Sequence, residues 1–113
     1  MRDTLYVLRP GFEDQGQSWF CPYSSQVIGM LTYYPHLRET VDVVELGFEK
    51  PRQPVAELIG ESNQSLPVLL LGDAAPEAVP GVNIATASGR RFVSKTIEIL
   101  RYLAATHGVP PPH

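Results

Sequence analysis

Cys21-Pro22-Tyr23-Ser24 is the stretch in which residue type and spacing together suggest chemistry. Cys21 is the only cysteine of the chain, so it forms no internal disulfide. Pro22 suits the first position of an α-helix, where its missing N–H costs nothing, and this sets Cys21 at the N-cap. A sulfur there faces unpaired backbone N–H groups and the positive end of the helix dipole, and both favour thiolate over thiol. Arg9 adds to that field if the preceding strand points at the site, whereas Glu13 and Asp14 oppose it. Position alone leaves two readings open: a nucleophile, or an inert thiol that only packs. Ser24 lies one helical turn further on, on the same side. In a C-x-x-C pair that place holds the resolving thiol. A serine there hydrogen-bonds a thiolate but forms no disulfide, so a redox cycle needs an outside thiol. Its plainer role is to occupy the first turn.

The apolar pattern predicts the elements that must hold these residues. Thr4 to Leu8, TLYVL, reads as a strand buried on both faces and stopped by Pro10-Gly11. Residues 9–20 are polar and contain glycine, which predicts a long loop. A helix follows to Pro35, with Val27, Ile28, Leu31 and Tyr34 on one face. Val41 to Leu46 is a second strand. Pro54 opens a short helix with Val55, Leu58 and Ile59 on its inner face, and Gly60 stops it. Val68 to Leu71 is a third strand, residues 74–88 form a surface excursion rich in Ala, Pro and Gly, and Arg91 to Val93 is a fourth strand. Ser94 is the expected N-cap of the last helix, whose stripe is Ile97, Leu100, Leu103 and Ala104 and whose end is Gly108. The order is β-α-β-α-β-β-α, an α/β chain with a mixed four-stranded sheet and about three flanking helices. Strands one and two run parallel by a right-handed crossover, and strands three and four close as a hairpin. With 113 residues and neither repeat nor linker, residues 1–113 form a single domain.

Composition narrows the function classes. A formal charge of −3 without a basic stripe argues against a nonspecific nucleic-acid surface. No run approaches transmembrane length and the first residues lack a signal-peptide core, so no membrane partner is expected. A lone cysteine fits a reducing, cytoplasmic setting. His36, His107 and His113 follow no metal-ligand spacing and are expected to be solvated, with no metal bound. Trp19 and Phe20 are expected to pack beneath the 9–20 loop.

Three segments, in order, resemble one family. Cys21-Pro22-Tyr23-Ser24 resembles the active-site motif of glutaredoxins, in the monothiol form that keeps the first cysteine alone. Ser65-Leu66-Pro67-Val68 is similar to the T-V-P segment of glutaredoxins and the V-P of glutathione transferase N-terminal domains. Lys95 to Leu103, KTIEILRYL, is similar to the transferase pattern E-S-x-A-I-x-x-Y-L. The chain is also similar to a group of short bacterial proteins of that fold. The resemblance covers most of the chain and implies a thioredoxin-like fold of the glutaredoxin type.

The resemblance also implies a site. A cis-proline at Leu66-Pro67 faces Cys21 and turns the Leu66 N–H and C=O outward, so that glutathione pairs there as an added strand. Without the resemblance, an X-Pro bond at a strand start reads as trans. Thr96 and the first-turn amides of the last helix hold the γ-glutamyl carboxylate, or Ser94 and Thr96 only cap that helix. Tyr23 lines the groove, and Gln64 or Arg52 reaches the other carboxylate. Lys95 departs from the pattern, because a cation there repels the γ-glutamyl amine. The 9–20 loop is longer than the family's connection. The sequence carries no all-helical transferase domain, so a conjugating transferase is not expected.

The function implied is a single-cysteine thiol–disulfide oxidoreductase with glutathione as co-substrate. Cys21 and Ser24 are its catalytic residues, and Tyr23, Gln64, Leu66, Pro67, Lys95 and Thr96 hold the tripeptide. The partners are glutathione and a glutathionylated protein or small disulfide, and the protein is a monomer or weak homodimer. The competing reading is a non-catalytic glutathione- or protein-binding module of the same fold. A glutathione-bridged iron–sulfur dimer needs one cysteine per chain, but Pro22 after that cysteine disfavours it.

Overall fold

The run TLYVL forms β1 (Thr4–Leu8), and all five of its residues are buried, as an apolar and β-branched segment in mid-sheet should be. The computed structural model describes residues 1–113. In chain order the elements after β1 are β2 (Phe12–Asp14), β3 (Gln17–Trp19), α1 (Pro22–Tyr33), a 3-10 helix (Pro35–Glu39), β4 (Asp42–Leu46), α2 (Val55–Ile59), β5 (Val68–Leu70), β6 (Ala85–Ala87), β7 (Arg90–Val93) and α3 (Thr96–His107). The main sheet has the order β4-β1-β5-β7-β6. β1 and β4 run parallel, with Thr4 opposite Asp42 and Leu8 opposite Leu46. The β1–β5, β5–β7 and β6–β7 pairs are all antiparallel.

Alternate side chains of the central strands feed two cores, as the pleat requires. Leu5, Val7, Leu69 and Val93 face α1 and α3, where Val27, Leu31, Ile99, Tyr102 and Leu103 close the layer. Tyr6, Leu8, Val68, Leu70 and Phe92 face the other way, against Val55 and Ile59 of α2. The mixed α/β class, the three helices and the parallel first crossover are therefore as the pattern predicts.

The sheet has five strands, not four. The added strand, β6, lies inside the 74–88 excursion, because Ser88 and Gly89 both take positive φ (53° and 73°) and turn the chain back on β7. Two successive left-handed residues make the hairpin turn whose twist matches paired strands. Residues 9–20 repeat the device. Gln15 and Gly16 have φ of 52° and 75°, so β2 and β3 form a separate two-stranded ribbon where a loop was expected. Trp19 and Phe20 do not pack beneath it: they are 46% and 62% exposed, and the Trp19 indole N–H donates to the Asp14 carbonyl at 2.9 Å.

Two expectations for the last helix also need correction. Its N-cap is Lys95, not Ser94, and no side chain caps it. Its buried stripe is Ile99, Tyr102, Leu103 and Ala104, while Ile97 is 44% exposed. The sequence offers both stripes at helical spacing, and packing against α1 selects the one that carries Tyr102.

Candidate functional site at the start of the first helix

Cys21 is the N-cap of α1, with an extended backbone (φ −82°, ψ 115°). Its Sγ accepts the Ser24 backbone N–H at 3.3 Å, and its carbonyl accepts the Ser25 N–H at 3.0 Å. The sulfur thus meets one of the donors that a helix start leaves unpaired. No acidic residue lies in that first turn. The thiol is half-buried and lies 3.9 Å from the Leu66 carbonyl oxygen. The Leu66-Pro67 peptide is cis, as are Lys50-Pro51 and Gln53-Pro54.

Ser24 sits beside the sulfur in a different way from the one its spacing suggests. Its backbone amide, not its hydroxyl, bonds Sγ. The buried Oγ accepts the Leu8 N–H at 3.1 Å and so ties α1 to the end of β1. That bond fixes the cysteine above the sheet. Leu66 and Pro67 are buried beside it, where the chain enters β5.

The remaining expected residues spread more widely. Tyr23 is 59% exposed on the outer side of α1. Gln64 is buried and fully engaged: its Oε1 accepts the Arg52 N–H at 2.6 Å and its Nε2 donates to the Glu61 carbonyl at 2.8 Å. The Arg52 guanidinium donates to the Gln64 and Phe48 carbonyls at 2.9 and 3.0 Å and lies over the Phe48 ring. Gln64 and Arg52 hold the 48–64 segment together. At the start of α3, Lys95 is exposed and Thr96 half-exposed, and neither side chain makes a hydrogen bond to another residue. Between Ser65, Phe92 and Ser94 lies a small cleft of about 220 Å³.

A larger cleft of about 680 Å³ opens from Cys21 on the other side, between β1, α1 and β4. Arg9, Phe20, Ser25, Arg38 and Glu45 lie along it with the thiol. Sequence reasoning placed Arg9 near the site but missed Arg38, because the turn of the 3-10 helix that delivers it leaves no periodic signal.

His107 corrects another expectation. It is not solvated: its Nε2 lies 3.3 Å from an Asp3 carboxylate oxygen and its Nδ1 lies 3.1 Å from the Thr40 hydroxyl. Asp3 also accepts the Gly72 N–H at 2.7 Å. Burial first, then the Asp3 carboxylate beside it, pushes the Tyr102 hydroxyl up to about 12. These groups gather before β1, at the opposite end of that strand from Cys21. No group of three or more His, Cys, Asp or Glu side chains is placed to hold a metal ion. No helix is long and apolar enough to cross a membrane.

The chain belongs to a family described as a protein of unknown function, DUF3088, whose model matches residues 2–111. No curated protein and no solved structure matches the chain.

Proposed function

We propose that the protein is a glutaredoxin-like, single-cysteine thiol–disulfide oxidoreductase of thioredoxin-like fold that uses glutathione. The observation that carries this reading is the place of Cys21. A half-buried sulfur accepts a first-turn amide of a 12-residue helix and lies 3.9 Å from the Leu66 carbonyl oxygen. The order β4-β1-β5-β7, with one parallel pair followed by two antiparallel pairs, supports the fold half of the reading, and β6 is an addition at its edge.

The Cys21 thiolate attacks the glutathionyl sulfur of a mixed disulfide, and the partner leaves as a thiolate that takes a proton from water. The Cys21–glutathione disulfide is then attacked by a second glutathione thiolate, which releases oxidised glutathione and restores Cys21. Ser24 cannot resolve the intermediate internally, so the second glutathione is obligatory. Leu66 and Pro67 border the bound tripeptide, and Thr96 with the α3 amides takes a carboxylate. Such a cycle belongs to a reducing cytoplasm, in a monomer or weak dimer.

The test is reduction of the glutathione–mercaptoethanol mixed disulfide by glutathione, coupled to glutathione reductase. Turnover is expected in the wild type and absent in Cys21→Ser, while Thr96→Ala raises the KM for glutathione about tenfold, the worth of one hydrogen bond to a charged group. A wild-type rate equal to the uncatalysed rate overturns the proposal.

The second reading, a binding module without efficient redox chemistry, is favoured by Lys95, exposed where the γ-glutamyl amine would lie, and by Gln64 and Arg52, which are engaged with each other. Calorimetric titration of glutathione into Cys21→Ser separates the two. Heat without wild-type turnover selects the module.

A further inference from the structure

We propose that the cleft between β1, α1 and β4 binds the carboxylate-bearing half of a small glutathione mixed disulfide, whose acid group is held by Arg9 and Arg38 and whose S–S bond is thereby presented to Cys21. The inference deepens the reading above, since it rests on Cys21 as the exchanging thiol. It names the chemical class of the half-substrate that departs.

The chain has 12 acidic and 9 basic side chains, so partners for arginine are plentiful. Even so, none of the three ion pairs involves Arg9 or Arg38. Arg2, Arg52, Arg90 and Arg91 each donate to an acceptor at 3.2 Å or less. Arg9 and Arg38 are both exposed; Arg38 makes no hydrogen bond, and Arg9 reaches the Glu45 carbonyl only at 3.4 Å, as Arg101 reaches the Gly81 carbonyl elsewhere. The two uncommitted guanidinium groups line the same cleft, and that cleft is the one with Cys21 in its wall.

Shape and lining agree with a small molecule. A volume of about 680 Å³ lies within the usual span for small-ligand sites, roughly 300–1,000 Å³. Ile28 and Val44 supply an apolar surface, and Phe20 stands exposed beside the cysteine. Guanidinium groups bind carboxylates in two-point, charge-assisted geometry. Glu45 is the one acidic side chain in the lining and pairs with neither arginine. It repels a ligand with a second acid placed close to it and accepts one with an amine there.

The exchange balances with this ligand as the departing half. For R–S–S–G, with R the acid, the Cys21 thiolate forms a bond to the glutathionyl sulfur. The old S–S bond breaks and its electron pair leaves on R–S⁻, which takes a proton from water in the open cleft. Glutathione then reduces the Cys21–S–S–G bond. The net reaction is R–S–S–G plus glutathione giving R–SH plus oxidised glutathione.

Two measurements test the cleft, and the first needs no glutathione. The rate at which iodoacetate alkylates Cys21, divided by the rate with neutral iodoacetamide, is compared with the same ratio for free N-acetylcysteine. The wild-type ratio is expected to exceed the free-thiol ratio on the order of tenfold, the worth of one charge-assisted hydrogen bond. Arg9→Gln with Arg38→Gln brings it close to the free-thiol value, and Arg9→Lys with Arg38→Lys keeps most of it. The second measurement compares kcat/KM for glutathione mixed disulfides of mercaptopropionate, mercaptoethanol and cysteamine, with the acid best and the amine worst in the wild type. A ratio that is the same in the wild type and the double glutamine variant overturns the cleft assignment. Loss of turnover with all three disulfides, while the alkylation preference persists and still depends on the arginines, instead overturns the glutathione cycle and leaves the acid site standing.

Discussion

At the scale of single residues, Ser24 separates structure from catalysis. Its hydroxyl accepts the buried Leu8 N–H, and its amide reaches the sulfur. Ser24→Ala keeps the amide and removes the hydroxyl, so the Leu8 N–H is buried without a partner. The expected cost is about 1–3 kcal/mol of stability by urea denaturation. Cys21 alkylation at neutral pH should change less than threefold, since the group that meets the sulfur remains. A large loss of thiol reactivity with unchanged stability would mean that the hydroxyl, not the amide, serves the sulfur. Cys21 at the N-cap was legible from Pro22 alone, because proline's missing N–H suits only the first turn. Gln64 is bonded within its own segment: a buried amide can serve a ligand or its own backbone, and residue type does not distinguish the two.

At the scale of elements, the two hairpins differ in how they are held. β6 continues the main sheet against β7, whereas β2 and β3 pair with each other alone. All six residues of that ribbon except Phe12 are exposed, and Phe12 stacks on Phe48 with ring centroids 4.6 Å apart. A two-stranded ribbon is marginally stable by itself. Amide hydrogen exchange over residues 12–19 is therefore expected to be orders of magnitude faster than in β1, whose five residues are all buried. Equal protection in the two segments would mean that the ribbon is anchored as part of the core. Both turns carry the same signal, a residue before glycine with φ positive at both positions, in Gln15-Gly16 and Ser88-Gly89. Flanking strands of three or four residues are too short to show alternation, so the signal reads as an ordinary loop.

At the scale of the whole molecule, the two ends of β1 do different work. Its last residue holds the cysteine helix through Ser24. Roughly 16 Å away, at about 3.3 Å per residue, Asp3 joins β1 to the end of β5 through Gly72 and to the end of α3 through His107. Tyr102 lies buried beside Asp3, and its hydroxyl is raised from an ordinary 10.0 to about 12. Folding thus favours the protonated phenol. Below about pH 10 both states hold the proton and stability is independent of this group. Between about 10 and 12 the unfolded chain loses the proton first, so stability falls as pH rises. Tyr6, raised chiefly by burial, contributes with the same sign. Urea midpoints measured from pH 9 to 12 should decline less steeply in Tyr102→Phe than in the wild type. Identical slopes would show that the phenol ionises as easily folded as unfolded.

The amino-acid order by itself determined the local features: the buried β1 run, the helix that begins at Pro22 with sulfur at its cap, the short α2 stopped by Gly60, and with them the α/β class. Each depends on neighbours within a few positions, where propensity, capping and periodicity act. Tertiary structure alone decided which face of α3 is buried, where β6 joins, that His107 meets Asp3 across 104 positions, and that Arg38 shares a cleft with Cys21. Those outcomes depend on packing between distant segments, and several arrangements satisfy the same local pattern until the layers close on one another.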